Sequence, residues 1–443
     1  MSVLGKMKST VMNAISGIQR TAYGAANRST SEVAAWNPPG GSAEGMLRGE
    51  RSQIARRGRD LMRNSGYAVA GVQRELDAVL GASFRPVPKI DPDALGISRD
   101  EAARVQREII AAWRDYADHP LKVADVGRRH PLGSLFALAY RHYLVDGDAL
   151  AVLHWREDGP WSTRLRIVDP DLLSTPDMLG DGPRLQSGVE TDADGAPVAY
   201  HIRRAPDDMD DPESEIWDRI SRETSWGRPI VVHFFDCDRD GQRRGVSAFT
   251  PVMEAFKQED AYARAELQAA ILNATLGLFV TSPFDESLLD AMGGDGGTIS
   301  AYQDLRGEYG KKNPVRLEGV GISRLFPGES IETLGQRQLN QFEAFESGIL
   351  KRIAAGLGLS YEQLSNDWTK TTYSSARAAL LEIWRGWERK RETFAKCFCA
   401  PIYLAWLEEA VDRGRVVLPT GTPGIMEAPA LWARAKWIGP GRG

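Results

Sequence analysis

Apolar residues recur at helical spacing in the first and last thirds of the chain and switch to alternation in between. Over 52–80, Ile54, Leu61, Val69, Val72, Leu76, Val79 and Leu80 share an interrupted helical face, and Asn64-Ser65-Gly66 predicts a break into two helices. A helix is predicted over 98–116, with Asp100 and Glu101 in the first turn, where negative charge suits the helix dipole. Another is predicted over 131–144. From 148 to 235 the period falls to two. Strands are expected at 149–155, 165–168 and 230–235, and the runs 188–190 and 197–202 flank an Asp194-Gly195 hairpin turn.

Helical spacing then returns. Val252, Phe256, Ala263, Leu267, Ala270 and Ala274 mark a long helix over 247–275. The segment 267–284 carries no charge, which is near the length of a membrane span, but it holds Gln268, Asn273, Thr275, Thr281, Ser282 and Pro283. It reads as a helix running into a strand. Residues 278–331 read as a Gly-rich, strand-poor insertion with Gly293-Gly294-Asp295-Gly296-Gly297 and a strand at Val315-Arg316-Leu317. A helix over 332–357 carries Phe342, Phe345, Ile349 and Ile353. After a polar break at 365–372, a long helix over 374–411 carries Trp384, Trp387, Phe394, Phe398, Tyr403 and Trp406, and Pro401 should kink it. The fold class is therefore α+β: a mixed head, then long helices that bracket a small insertion. Long helices with narrow apolar faces pack against copies of themselves, so an oligomer is expected.

Composition narrows the function. Lys plus Arg is 55 and Asp plus Glu is 60, a net charge of −5 over 443 residues, which argues against a surface that grips duplex DNA. Residues 1–58 are the exception, with eight basic residues against three acids and the irregular stretch Asn37-Pro38-Pro39-Gly40. They read as a basic flexible arm. Cys237, Cys397 and Cys399 cannot build a disulfide framework, and their odd, sparse occurrence suits a reducing compartment.

Candidate chemistry is thin. Asp236-Cys237-Asp238-Arg239-Asp240-Gly241 matches half of a calcium loop, but Ser247 stands at the twelfth position where Glu is needed. Cys397 and Cys399 lie two apart on a helix, which points them in different directions, and read as buried helix cysteines. The six histidines have no metal-ligand spacing. Gly307-Glu308-Tyr309-Gly310-Lys311-Lys312 fails the phosphate-loop pattern, and Asp146-Gly147-Asp148 reads as a turn before a strand. The tryptophans read as core or subunit packing rather than base stacking. No catalyst, cofactor or metal is expected.

Several stretches taken in order are more specific. They are Arg59-Asp60-Leu61 with Arg63-Asn64, Gly188-Val189-Glu190 with Gly195 and 197–202, Arg244-Gly245-Val246-Ser247 with Phe249 and Pro251-Val252, Tyr361-Glu362-Gln363-Leu364-Ser365, 373–382, and Trp437-Ile438-Gly439-Pro440-Gly441-Arg442. This ordered set resembles the lambda-type portal proteins of tailed phages. Thr372 departs from the family's usual Asn. The family also continues past the last motif, whereas this chain stops at Gly443, so a trimmed or processed product is expected.

The resemblance implies a ring, usually of twelve subunits, at one capsid vertex of the virion, assembled in the cytoplasm of a bacterial host. It implies a wing at 59–246, a stem helix at 247–277, a clip at 278–331, a second stem helix at 332–358, a tunnel loop region at 359–373, and a long kinked helix with the start of the crown at 374–443. Double-stranded DNA would pass through the channel for packaging and ejection. The implied partners are the terminase large subunit, the major capsid and scaffolding proteins, and a head–tail connector, with no membrane. Asn366, Trp368, Thr369 and Lys370 are the expected DNA-facing loop residues. Arg306, Lys311, Lys312 and Arg316 are the expected docking cluster of the clip. The alternative is a non-viral helical scaffold with a β head.

Overall fold

A computed structural model describes residues 35–205, 215–275, 342–369 and 371–441, with short stretches at 279–281, 304–305, 307–309, 311–312 and 330–332. Ser42 caps the short helix α1 (Ala43–Leu47), its hydroxyl accepting the Gly45 N–H at 3.1 Å. Then come α2 (Arg51–Asn64) and α3 (Gly66–Val79), separated at Ser65, which leaves helical geometry and caps α3. Ala55, Gly58 and Leu61 form the buried stripe of α2, at the spacing the pattern predicts. The expected flexible arm over 1–58 is corrected here. From residue 43 it is helical and packed, because Glu44 is buried against Ser187 and the Arg243 N–H, and Arg51 reaches an acid in the head. Residues 1–34 lie outside the described residues.

The chain continues through β1 (Arg85–Pro88), α4 (Arg99–Ala117) and α5 (Leu132–Asp146). A capping box between Ser98 and Glu101 starts α4, and Gly147 at φ 95° ends α5. Strands β2 (Ala149–Trp155) and β3 (Thr163–Val168) follow, then β4 (Leu185–Gln186), β5 (Val189–Thr191), β6 (Pro197–Arg203), β7 (Trp217–Ser221) and β8 (Val231–Phe234). They form two antiparallel sheets, ordered β3-β2-β8 and β4-β5-β6-β7. The β5–β6 turn sits at the expected place: Asp192 accepts the N–H groups of Asp194 and Ala196, and Gly195 takes φ 89°.

A 3₁₀ turn at Thr250–Val252 precedes α6 (Met253–Thr275). The helix therefore starts six residues later than predicted, because Pro251 cannot donate within a helix interior. Strand β9 (Phe279–Thr281) follows α6, as expected of a helix running into a strand, and pairs antiparallel with β10 (Ser330–Glu332). That ribbon corrects one expectation: Glu332 ends a strand instead of opening a helix. The described helix there is α7 (Phe342–Leu357). The strand expected at 315–317 lies outside the described residues.

After α7 come α8 (Tyr361–Ser365), α9 (Tyr373–Phe394) and α10 (Ala400–Asp412). A π-helical turn at Ala395–Cys399 links α9 to α10. The perturbation expected at Pro401 thus falls one turn upstream. Proline lacks the N–H that the carbonyl four residues earlier would accept, and a wider turn accommodates the loss. Cys399 is buried but Cys397 is exposed, which corrects the expectation of two buried cysteines.

Strand β11 (Ala435–Ile438) returns to pair with β1, Arg85 opposite Ile438. Neither strand was predicted, since Pro86 and Pro88 remove two ladder donors and read as non-strand. The pairing closes the molecule. Around it Trp113, Tyr116, Phe136, Trp161, Tyr403, Trp406 and Trp437 form one aromatic cluster, with Trp113 edge-on to Trp406 at 4.8 Å. Trp161, Trp406 and Trp432 are fully buried, as a packing role requires, whereas Trp155, Trp226 and Trp368 are exposed.

Candidate functional site

The polar break between α7 and α9 is a tightly built loop. Ser360 and Gln363 cap α8 reciprocally, at 3.3 and 3.1 Å. Asn366 stops the helix in the left-handed region at φ 57°, and its Oδ1 accepts from Arg74 Nη2 at 3.2 Å. Asp367 Oδ1 accepts the Thr369 N–H at 3.0 Å and the Thr369 hydroxyl at 2.6 Å. Thr371 donates its hydroxyl to Glu362 at 3.2 Å. Leu364 is buried beneath the loop. At Gly71 the absent side chain lets α3 come close to Leu357, Leu359 and Leu364. Trp368 is 41% exposed at the tip. Of the four expected loop residues, Asn366, Trp368 and Thr369 thus lie on one exposed loop, and Lys370 lies outside the described residues.

In the insertion, Lys311 and Lys312 are exposed on a short helical turn, and Lys312 stands 3.6 Å from Glu308. Arg306 and Arg316 lie outside the described residues, so the four docking residues are not brought together here.

Sequence reasoning missed a buried ionic hub in the head. Gly147 turns the chain between two acids, and both are buried. Asp146 accepts from Arg59 Nε at 2.6 Å and contacts His142 Nδ1 at 2.7 Å. Asp148 accepts from Arg244 Nε at 2.8 Å, Arg51 Nη2 at 2.6 Å and the Gly245 N–H at 2.6 Å, and His233 Nε2 lies 3.2 Å away. Burial alone would push the Asp148 carboxyl up. The guanidiniums of Arg244 and Arg51 and the His233 hydrogen bond overcome it and hold Asp148 well below the ordinary carboxylate range. Burial pushes the His233 imidazole down, although the hydrogen bond with Asp148 opposes the shift. The reading of this segment as a turn holds, but its carboxylates are joints of the fold. Burial of an acid is visible in sequence only through a partner, and Arg51 and Arg244 lie 97 and 96 positions from Asp148.

Other ionic joints repeat the pattern. Glu75 accepts from the Tyr140 hydroxyl at 2.9 Å and from Lys390 at 2.8 Å. Arg391 donates to the Ala78 and Val79 carbonyls, a cation on the last turn of α3. A Cβ at Gly439 would sit 2.6 Å from Arg391 Nε, and one at Gly81 would meet Pro440. Arg59, Gly188, Arg244, Gly245 and Gly439, all from the motifs of the ordered set, are thus points where separate segments touch.

Among the described residues no group of three His, Cys, Asp or Glu side chains could hold a metal ion. No described helix is long and apolar enough to cross a membrane.

Comparison with known proteins accords with this architecture. The family model for phage portal protein, lambda family, matches residues 29–391. The portal protein of Escherichia phage N15 is 32% identical over 421 residues, which cover 93% of this chain and 79% of that protein. Portal protein B of Escherichia phage lambda is 32% identical over 422 residues with the same coverage. A chain from the neck of an empty GTA particle superposes with a TM-score of 0.50 at 16% identity, covering 84% of this chain and 93% of that one.

Proposed function

The chain belongs to the lambda family of phage portal proteins, structural components of the phage head–tail vertex, and from that premise we propose that it forms a ring channel through which double-stranded DNA is packaged and ejected. The match to the family over most of the chain carries this reading. The ring, usually twelve-membered in the family, is supported by apolar side chains that the single chain leaves in solvent on its long helices: Leu267 and Ile271 on α6, Phe345 on α7, Leu380 and Leu381 on α9. These are the faces that neighbouring subunits would cover.

In this reading the head to residue 246 is the wing. Helix α6 and the segment 332–358 are the stem, and the ribbon β9–β10 is the root of the clip. The tunnel loop region 359–373 faces the channel with Asn366, Trp368, Thr369 and Lys370. The clip, with Lys311 and Lys312 on its surface, docks the terminase large subunit and then the head–tail connector. Capsid and scaffolding proteins surround the ring at one vertex, and assembly takes place in the bacterial cytoplasm. A chain with net charge −5 suits a sliding channel, because a weakly charged wall forgoes the counterion release that would hold DNA in place.

The test is the solution mass by light scattering with negative-stain images of the same fraction. A ring of about a dozen copies with a hole wider than a duplex, dispersed by Ile271→Glu with Leu381→Glu, is the expected result. A monomer that stays monomeric with capsid and scaffolding proteins present would overturn the ring.

A further inference from the structure

The head holds a cleft of about 690 Å³ that the channel reading does not use, between the start of α2, the segment after β3 and the turn at Ser187. Six arginines line it, Arg48, Arg51, Arg56, Arg59, Arg203 and Arg244, against four aspartates, Asp169, Asp171, Asp177 and Asp181. Behind the lining, the buried Asp146 and Asp148 pair with Arg59, Arg51 and Arg244, so the charge there is balanced and what distinguishes the cleft is the number of guanidinium donors.

The arginines are committed to different degrees. Arg244 commits four of its five N–H donors: Nε on Asp148, Nη1 on the carbonyls of Leu173 and Ser187, and Nη2 on the carbonyl of Pro170. Arg59 gives one nitrogen each to Asp146, Asp169 and Asp171, which occupies those two lining acids. Asp181 already accepts from the Thr175 hydroxyl at 2.5 Å and the Ser187 N–H at 3.1 Å. Three others have more donors to spare. Arg51 gives Nη2 to Asp148, while its Nε–H is shut off from solvent without any acceptor. Arg48 makes one 3.3 Å contact with Asp181 and is 62% exposed. Arg56, further along α2, pairs with no described acid.

A buried donor left without an acceptor is destabilising. The wall of the cleft carries this guanidinium together with two further forks that have donors to spare, those of Arg48 and Arg56. A carboxylate has two oxygens, whereas a tetrahedral oxyanion has enough for all three, and the guanidinium fork matches phosphate geometry. We propose that this cleft binds a phosphoryl group through Arg48, Arg51 and Arg56. The phosphoryl group is either a free phosphate or a phosphate of a nucleic-acid backbone.

The test is calorimetric titration of the full chain with inorganic phosphate at constant ionic strength, chloride as the control. Saturable binding of phosphate, weakened at least tenfold in Arg48→Glu with Arg56→Glu, is expected. Both side chains are at the surface, so the double variant should melt like the parent without phosphate. Arg51→Lys keeps a charge beside Asp148 but lacks the enclosed Nε–H, and it should weaken phosphate several-fold. A short duplex oligonucleotide that displaces phosphate from the parent but not from the double variant would make backbone phosphates the source. Failure to displace would make free phosphate the source. Heat no greater than with chloride, or equal binding by parent and double variant, means an adventitious ion only and overturns the proposal. Ring formation, read separately by mass, is independent of this result.

Discussion

In the head, Asp148 is wholly buried and accepts from two guanidiniums, an imidazole and a backbone N–H that come from distant parts of the chain. In the loop after α8, Asp367 lies near the surface, and its Oδ1 accepts from the N–H and hydroxyl of Thr369, two residues on. The same side chain therefore does two jobs. In the head it ties segments together, and its loss leaves charges buried without partners. In the loop it shapes a few neighbouring residues, and its loss is absorbed by water. Substitutions of like chemistry should consequently split into those that unfold the head and those that change what the ring does while leaving it folded.

The largest effect should come from Arg244→Ala. It takes one of two guanidiniums from the buried Asp148 and removes a donor from three carbonyls, Leu173, Ser187 and Pro170. Breaking a buried ion pair from one side costs about 3–5 kcal/mol. Urea unfolding followed by tryptophan fluorescence should show that loss, and a midpoint equal to the parent's would refute the hub as a joint. Gly245→Ala comes next. Its Cβ would collide with the Gly147 carbonyl and crowd Phe235, and overpacking of this kind costs about 1–3 kcal/mol. The same urea titration measures it.

These residues also mark how far sequence reading reached. The helices α3, α4 and α5 and the β5–β6 hairpin were legible because periodicity and capping are local. Strands β1 and β11 were not, since their pairing partner is at the other end of the chain and two prolines disguise one of them. The hub was illegible for the same reason: Asp146-Gly147-Asp148 before a strand looks like a turn until Arg51 and Arg244 are folded onto it. The resemblance did pick out Arg59, Arg244, Gly245 and Gly439, but as an ordered pattern without its physical cause. The loop was found through its polar composition, which is local, although the left-handed Asn366 and its bond to Arg74 were not.

A smaller effect separates the regions by pH. His233 takes up a proton in the unfolded chain near pH 6.5, but in the fold burial keeps its affinity lower. The unfolded state thus binds more protons as pH falls, and stability must fall with it. The head should therefore melt at a lower temperature at pH 5 than at pH 7. Asp148 adds nothing to this change, because its depressed pKa places its loss below about pH 4. His233→Gln, whose amide still donates to Asp148, should flatten the slope between pH 7 and 5. A slope as steep as the parent's would assign the proton uptake to another group, with His154, also pushed down by burial, the next to test.

The smallest effect on stability and the sharpest on function should come from the loop. Trp368 and Thr369 are exposed, and surface substitutions of this kind usually change stability by no more than about 0.5 kcal/mol. Lys370→Glu should thus leave the melting temperature and the ring mass unchanged. In a channel, however, each subunit repeats the substitution around the bore. With the loop placed on the channel wall as proposed, a ring of acids would replace a ring of bases and repel the phosphates passing through it. Packaged DNA length, or its retention in filled heads, should therefore fall for the variant. Packaging and retention equal to the parent's, with intact rings, would remove the loop from the channel wall. The contrast between a charge that holds the fold and a charge that meets the cargo would then have to be drawn elsewhere in the molecule.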